Sequence, residues 1–256
     1  MKKKDILFGK NSIIEALKSG VTIEQILISK TSYGEEINRI FELAKASDVP
    51  VRKVPIEKIN YLLYPFYGNT DKVSHQGVVA TTSSFEYSKV EDIYFQKIDQ
   101  GKNPVFVLLD RITDVRNFGA ISRNAVCFDI DAIIIPTRNS VSVNADAIKT
   151  SSGALNMIPI CRADDTIETI NYLLDCGFQI LGATEKSSKP MKNIDWTLPT
   201  LIVLGNENSG MSYQILEKLT DTITIEMNKE AFDSLNVSVS AGILFHSVYC
   251  HRNQLI

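Results

Sequence analysis

Three stretches of this chain place amide, carboxylate, hydroxyl and guanidinium side chains directly after apolar runs, and chemistry is most feasible there. The first runs from Asp110 to Arg123, DRITDVRNFGAISR, after the apolar Val105 to Leu109. Its Asn117 stands just before a helix-like run, Gly119 to Phe128, and Arg123 falls one turn inside it. An arginine so placed could point back at an anion held near the helix N-terminus. The second, Leu201 to Ser212, reads LIVLGNENSGMS: a four-residue strand, then Asn206, Glu207, Asn208 and Ser209 between Gly205 and Gly210. A helix-like run, Met211 to Leu219, follows, and strand, glycine-bounded loop and helix together suit an anionic or nucleotide-like ligand. The spacing matches a phosphate loop except that Met211 stands where the lysine belongs. A triphosphate would lack its cation, which excludes an NTPase. The third stretch, Glu226 to Ser240, EMNKEAFDSLNVSVS, sets Ser234 and Asn236 before a long terminal run. Any one of the three reads as caps and turn formers. All three together read as a site.

The elements behind these loops alternate between two periodicities. Over 7–80, Ile13, Ile14 and Leu17 share a helical face that Asn11 or Ser12 can cap and Gly20 can end. A strand at Ile26–Ile28, a helix over Glu35–Ala46, a strand over 50–54, a helix over 56–63 and a strand at Gly77–Ala80 follow. This alternation predicts parallel pairing in a three-layer sandwich. The loop Tyr64 to Ser74 offers Tyr64, Phe66 and Tyr67 among lysines, to stack on unpaired bases or to tuck into the core. Residues 84–103 read as an interdomain linker with one short helix. Beyond it come strands at 105–109, 132–135, 178–181, 201–204 and 222–225 and helices at 119–128, 145–155, 166–176 and 237–252. Such a series makes a doubly wound α/β domain, with the chemistry beyond the carboxyl ends of its strands. No G-x-G-x-x-G follows the first strand, so a standard dinucleotide fold is disfavoured. The expected organisation is 1–83 as a small α/β domain, 84–103 as linker and 104–256 as the larger domain.

The totals narrow the classes. The 256 residues are 44% hydrophobic and 22% charged, ordinary for a soluble globular protein, and no apolar run approaches a membrane span. MKKKDILFGK has lysines without an apolar segment, unlike a signal peptide. Cys127, Cys161, Cys176 and Cys250 form no C-x-x-C pair, and three scattered histidines suggest no zinc site. A reduced, cytoplasmic protein without a metal is expected. The net charge of −3 argues against a generally adhesive nucleic-acid binder. Residues 1–84, however, carry ten Lys and two Arg against nine acids, so a mildly basic N-terminal part on an acidic body suits a module that meets phosphate.

The three loops also carry a resemblance. D-x-x-x-D-x-x-N-x-G-A-I-x-R, Asp110 to Arg123, is similar to the first motif of the SpoU (TrmH-type, SPOUT superfamily) RNA 2′-O-ribose methyltransferases. LGNENSGMS resembles their second motif and SLNVSVSAG, Ser234 to Gly242, their third. FGKNSIIEAL at 8–17 and HQGVVA at 75–80 resemble the L30e-like RNA substrate-binding domain of the branch that modifies ribosomal RNA. Departures are Val115 for a proline, Asp129 for a glycine, and a segment 228–233 that is one residue longer than usual and lacks its glycine.

The resemblance implies an α/β methyltransferase domain with a C-terminal trefoil knot, a homodimer whose site is completed across the interface, and S-adenosylmethionine as cofactor. It assigns Gly205, Ile225, Met227 and Leu235 to cofactor binding. Asn117, Glu207, Ser234 and Asn236 would organise the catalytic site, with Arg123 acting on the ribose hydroxyl. Family proposals make that arginine a general base. A guanidinium stays protonated at any pH at which such an enzyme works, so stabilising the developing alkoxide and gripping the adjacent phosphate suits it better. The implied substrate is a guanosine of 23S rRNA in the peptidyl-transferase region; the alternatives are a tRNA ribose and, from another class, a non-catalytic RNA-binding protein.

Overall fold

The computed structural model describes residues 6–255 except Gly20, Thr22, Asp48, 69–72, 83–84 and 229–232. The N-terminal lysines, the helix end expected at Gly20, part of the loop 64–74 and most of the divergent segment 228–233 lie outside the described residues. The chain separates into two compact units, 1–86 and 87–256.

The first unit is a sandwich around a four-stranded sheet. Strands β1 (Ile6–Phe8), β2 (Ile23–Ser29), β3 (Val51–Val54) and β4 (Val78–Thr82) alternate with helices α1 (Lys10–Lys18), α2 (Glu35–Ala46) and α3 (Ile56–Tyr67). Helices α1 and α2 bury Ile13, Leu17, Ile37 and Ile40 against Ile26, Ile28 and Val78. Helix α3 sends Ile59 and Leu63 to the other face, against Leu27, Val54 and Val79. The three layers are as expected, but purely parallel pairing is not. In the order β1-β4-β2-β3, β2 and β3 run parallel while β4 is antiparallel to both its neighbours. After α3 the chain enters β4 beside the carboxyl end of β2, where the Ser29 N–H donates to the Gly77 carbonyl at 2.7 Å. From there the last strand can only run back. Neither Asn11 nor Ser12 caps α1, whose N-cap is Gly9. Phe66 and Tyr67 pack on the core, Tyr67 edge-on to Phe8, while Tyr64 stays exposed.

The second unit holds a six-stranded, all-parallel sheet in the order β10-β8-β9-β5-β6-β7. Its elements are α4 (Val90–Asp99), β5 (Val105–Leu109), α5 (Val115–Cys127), β6 (Ala132–Pro136), α6 (Ala145–Thr150), β7 (Ile160–Ala163), α7 (Thr166–Asp175), β8 (Gln179–Ala183), β9 (Thr200–Leu204), α8 (Tyr213–Leu216), β10 (Asp221–Ile223) and α9 (Val237–Arg252). Strands β5, β6 and β9 are buried at every position, as central strands covered on both faces must be. One face packs α4 and α7 onto Phe106, Leu108, Ile134, Ile180 and Val203. Helices α5 and α9, which lie against each other, supply further buried side chains such as Phe118, Ile121, Leu244 and Phe245. Val90 and Ile93 of α4 belong to this core, and Ser88 bridges to Cys161 of β7. Residues 87–103 are therefore part of the second unit's structure, where a connector had been expected.

Local differences have local causes. Helix α5 starts at Val115, four residues earlier than expected, because the Asp114 carboxylate caps it through the Arg116 N–H. Val115 thus takes the first helical turn position that suits proline, and Asp129 adopts φ 51°, a conformation that favours glycine. Gly119 lets α6 approach α5, since a Cβ there would lie 2.9 Å from the Ser151 nitrogen. The helix expected over 211–219 contracts to α8, because the Thr220 N–H must already pair with the Ile180 carbonyl at 2.9 Å.

Candidate active site

The strand order reverses between β5 and β9, and the three polar loops meet beyond the carboxyl ends of those strands, where such folds bind ligands. Asn117 comes from the first turn of α5, Glu207 from the loop after β9, and Asn236 caps α9. Asn117 Nδ2 donates to Glu207 Oε1 at 2.9 Å. Asn236 Nδ2 donates to the same oxygen at 2.6 Å and to Asn117 Oδ1 at 3.1 Å. The Val237 N–H adds a longer bond to Oε1 at 3.4 Å. Asn236 is held in turn: its Oδ1 accepts the Ser238 N–H at 2.9 Å and the Ser238 hydroxyl at 2.6 Å. Asn124 of α5 donates to the Ser238 carbonyl at 2.9 Å, tying the two helices together behind the cluster. Glu207 thus lies between two helix N-termini, whose positive ends favour a carboxylate. Its Oε1 receives all three of these bonds, which orients the group while leaving Oε2 for another partner.

Beside this cluster is a cavity of about 360 Å³, within the range of small-molecule sites. Gly205 to Met211 form one wall, Ile223, Thr224, Ile225 and Met227 a second, and Ser234, Leu235, Val237, Ser240 and Leu244 a third. All four residues assigned to cofactor binding, Gly205, Ile225, Met227 and Leu235, line it, as do Glu207 and Ser234. Gly205 is required by crowding: a Cβ there would sit 2.5 Å from the backbone of Gly210 and Met211. The turn it permits is closed by a reciprocal pair of bonds between Asn206 and Gly210, at 3.1 and 2.8 Å. Asn206 Oδ1 further accepts the Asn208 and Ser209 N–H groups.

Arg123 is placed differently from the expectation. With α5 starting at Val115, it lies more than two turns inside, about 9 Å along the axis from Asn117 and about 120° around it. It is exposed and does not line the cavity, so it does not point back at the helix N-terminus.

Two groups of residues escaped the sequence reading. The segment Thr184–Lys186, after β8, supplies a fourth wall of the cavity. Its only signal is the set of small residues Gly182, Ala183 and Thr184 where an apolar strand ends. The other group is a clasp between the first two loops. Asp110, 4% exposed, accepts the Ser212 N–H at 2.6 Å, and Arg111 Nη2 donates to the Gly210 carbonyl at 3.0 Å. Asn206 Nδ2 returns a bond to the Arg111 carbonyl at 2.9 Å. Arg111 adopts φ 57° to do this, a feature that no side-chain pattern announces.

Comparison with known proteins agrees with the geometry. Residues 104–246 match the SpoU rRNA Methylase family, and residues 6–88 match the RNA 2′-O ribose methyltransferase substrate-binding family. A Bacillus subtilis protein, YacO, of the TrmH family of tRNA/rRNA methyltransferases, is 30% identical over 97% of this chain and 96% of its own. A Staphylococcus saprophyticus relative of the same description is 34% identical, covering 98% and 97%. Among solved structures, the AdoMet complex of AviRb from Streptomyces viridochromogenes aligns with a TM-score of 0.60 at 20% identity, covering 97% of this chain and 90% of that one. The AdoMet-bound rRNA methyltransferase of Sinorhizobium meliloti aligns at 0.58 and 23%, covering 98% and 87%. The chain belongs to the SpoU (TrmH) family of RNA methyltransferases.

Proposed function

We propose that this protein transfers a methyl group from S-adenosylmethionine to a ribose 2′-hydroxyl of RNA, most specifically a guanosine of 23S rRNA in the peptidyl-transferase region. The observation that carries the reading is the convergence of Asn117, Glu207 and Asn236, from three separate loops, beside the glycine-walled cavity. The cavity fits the cofactor: its volume suits a ligand of that size, Leu235 and Ile225 offer apolar contact, and Gly205 brings backbone polar groups to its wall. When bound, S-adenosylmethionine supplies the activated methyl on a sulfonium. The protein then has to hold the hydroxyl in line with that methyl, about 3–3.5 Å away, and help its proton leave. Asn117 and Asn236 fix Glu207, whose Oε2 can accept a hydrogen bond from the ribose, and Ser234 offers a further hydroxyl at the rim. Arg123 steadies the developing alkoxide and the adjacent phosphate; its charge is permanent, so it does not serve as the base.

Arg123 lies away from the cluster of its own chain, which fits a site completed in a homodimer. Val239 and Ile243, one turn apart on α9, are 50% and 37% exposed, and Leu235 just before the helix is 37% exposed. We infer that a second copy covers this stripe through an isologous contact and lends its Arg123 to the partner cavity. The trefoil knot belongs to the same proposal, since the loops after β9 and β10 both wall the cavity. Among the described residues no helix is long and apolar enough to cross a membrane, and no group of His, Cys, Asp and Glu could hold a metal ion.

Calorimetry with S-adenosylmethionine tests the cofactor assignment: a saturable heat is expected, and its absence sinks the enzyme reading. Ribose-methylation mapping in a deletion strain tests the substrate, where loss of one 23S mark is expected. Loss of a tRNA mark with rRNA intact would transfer the assignment to tRNA.

A further inference from the structure

The first unit carries a cation–aromatic pair that the methyl-transfer chemistry does not use. Tyr33, in the turn between β2 and α2, is 71% exposed. Lys53 Nζ lies over its ring, 5.1 Å from the centroid, and also 5.9 Å from the ring of Phe41 in α2. Lys53 belongs to β3, an edge strand whose Arg52 is exposed as well, and Lys30 extends from the end of β2. The backbone holds this corner together through the Lys30 N–H to the Val54 carbonyl, at 2.9 Å. The nearby acid Glu36 is engaged by Lys10 at 2.7 Å. The corner is thus an exposed tyrosine ring with the Lys53 ammonium over it, with Lys30 and the exposed acid Glu35 close by in the chain.

We propose that this corner is a binding site for an unpaired RNA nucleotide, its base stacked on the open face of Tyr33 and its flanking phosphates met by Lys53 and Lys30. Stacking tolerates any base because each has a π-face, and a cation–aromatic pair strengthens the platform. The charge matches a phosphodiester and excludes an acidic-poor apolar peptide, while an edge strand with two exposed cations resists pairing with another strand. Tyr61 and Tyr64 on α3 are also exposed, but Glu57 precedes Tyr61 by one turn on that face. The proposal rests on the RNA-methyltransferase reading and adds to it the place where a single-stranded part of the substrate is gripped.

The test uses the full-length protein with a fluorescein-labelled 12-mer of oligo(A), followed by fluorescence anisotropy. Tyr33→Ala is expected to weaken binding roughly tenfold, whereas Tyr33→Phe, which keeps the stacking ring, stays within about twofold. Lys53→Ala should lower the salt dependence of binding by about 0.7 in log–log slope, the value of one phosphate contact on a single strand. Unchanged binding by Tyr33→Ala, failure of the wild-type protein to bind oligo(A), or a loss confined to Tyr61→Ala/Tyr64→Ala would each overturn the inference. S-adenosylmethionine calorimetry on the same samples keeps the two readings apart. Cofactor heat with no Tyr33 effect rejects this site alone, and absent cofactor heat rejects the enzyme reading.

Discussion

At the scale of single residues, the site divides into groups that hold one another and one that stands apart. Glu207 accepts bonds from Asn117, Asn236 and the Val237 N–H, so its orientation depends on both helix N-termini. Asn236→Ala removes the cap of α9 and the donor to Glu207 in one step. It should lower thermal stability by about 1 kcal/mol, read in a denaturant midpoint. On the proposed function, turnover should fall far more, by about a hundredfold, the usual cost of displacing a reacting group by an ångström. Arg123 differs, being exposed and unconnected to the cluster of its own chain. Arg123→Lys keeps the charge and loses the planar fork, so S-adenosylmethionine affinity should be unchanged while kcat drops by about 10² or more. Near-normal turnover would show that guanidinium geometry plays no part. The chain's residue types and order singled out Asn117, Glu207 and Asn236, which the structure brings together. The helical address of Arg123 was misread because Asp114, one turn before Gly119, turned out to be the cap that sets the start of α5.

At the scale of elements, the loop after β9 keeps its shape through the clasp from Asp110 and Arg111. Arg111→Gly separates the two roles of that residue: glycine accepts φ near 57° without strain but cannot reach the Gly210 carbonyl. The melting temperature should therefore stay close to wild type while the KM for S-adenosylmethionine rises. An unchanged KM would leave Arg111 without a role at the cavity. Strand β10, which leads into the wall formed by Thr224 and Ile225, starts at Asp221. A hydrogen bond from Lys189, then the Thr222 N–H, hold the Asp221 carboxyl below the ordinary carboxylate range. A lowered folded-state pKa adds stability above the unfolded value of about 3.9 and loses it as pH falls through the folded value. Asp221→Asn should thus melt earlier than wild type at neutral pH, with the gap closing under acid. A gap that persists at low pH would assign the effect to packing. The boundaries of α9 and the apolar face of α7 were legible because periodicity and caps agree there, at Asn236 and Asp165. Strand β1, of three residues, and β7, of four, are too short for alternation to show, and the direction of β4 depends on a connection that carries no pattern.

At the scale of the whole molecule, the division of labour follows the two units: one matches a substrate-binding family, the other a methylase family, and each has its own core. The domain series and the three loops pointed to this organisation, while the place of residues 87–103 became visible only through the packing of Val90 and Ile93. The four cysteines are free, and burial pushes the Cys161 thiol up to about 12, so it should resist alkylation in the native protein while exposed Cys127 reacts. The proposed homodimer is testable at the same scale. If α9 carries the interface, Val239→Glu/Ile243→Glu should halve the mass in sedimentation and, if Arg123 acts across it, abolish methyl transfer. A monomeric variant with full activity would refute a shared site. The central claim concerns the atom that receives the methyl group. Purified protein, tritiated S-adenosylmethionine and separate rRNA and tRNA pools, followed by alkaline hydrolysis, address it directly, because a methylated 2′-oxygen cannot attack its phosphate. The account predicts tritium in an alkali-resistant dinucleotide from 23S rRNA; tritium in mononucleotides, which marks a base, or none in any RNA, would contradict it.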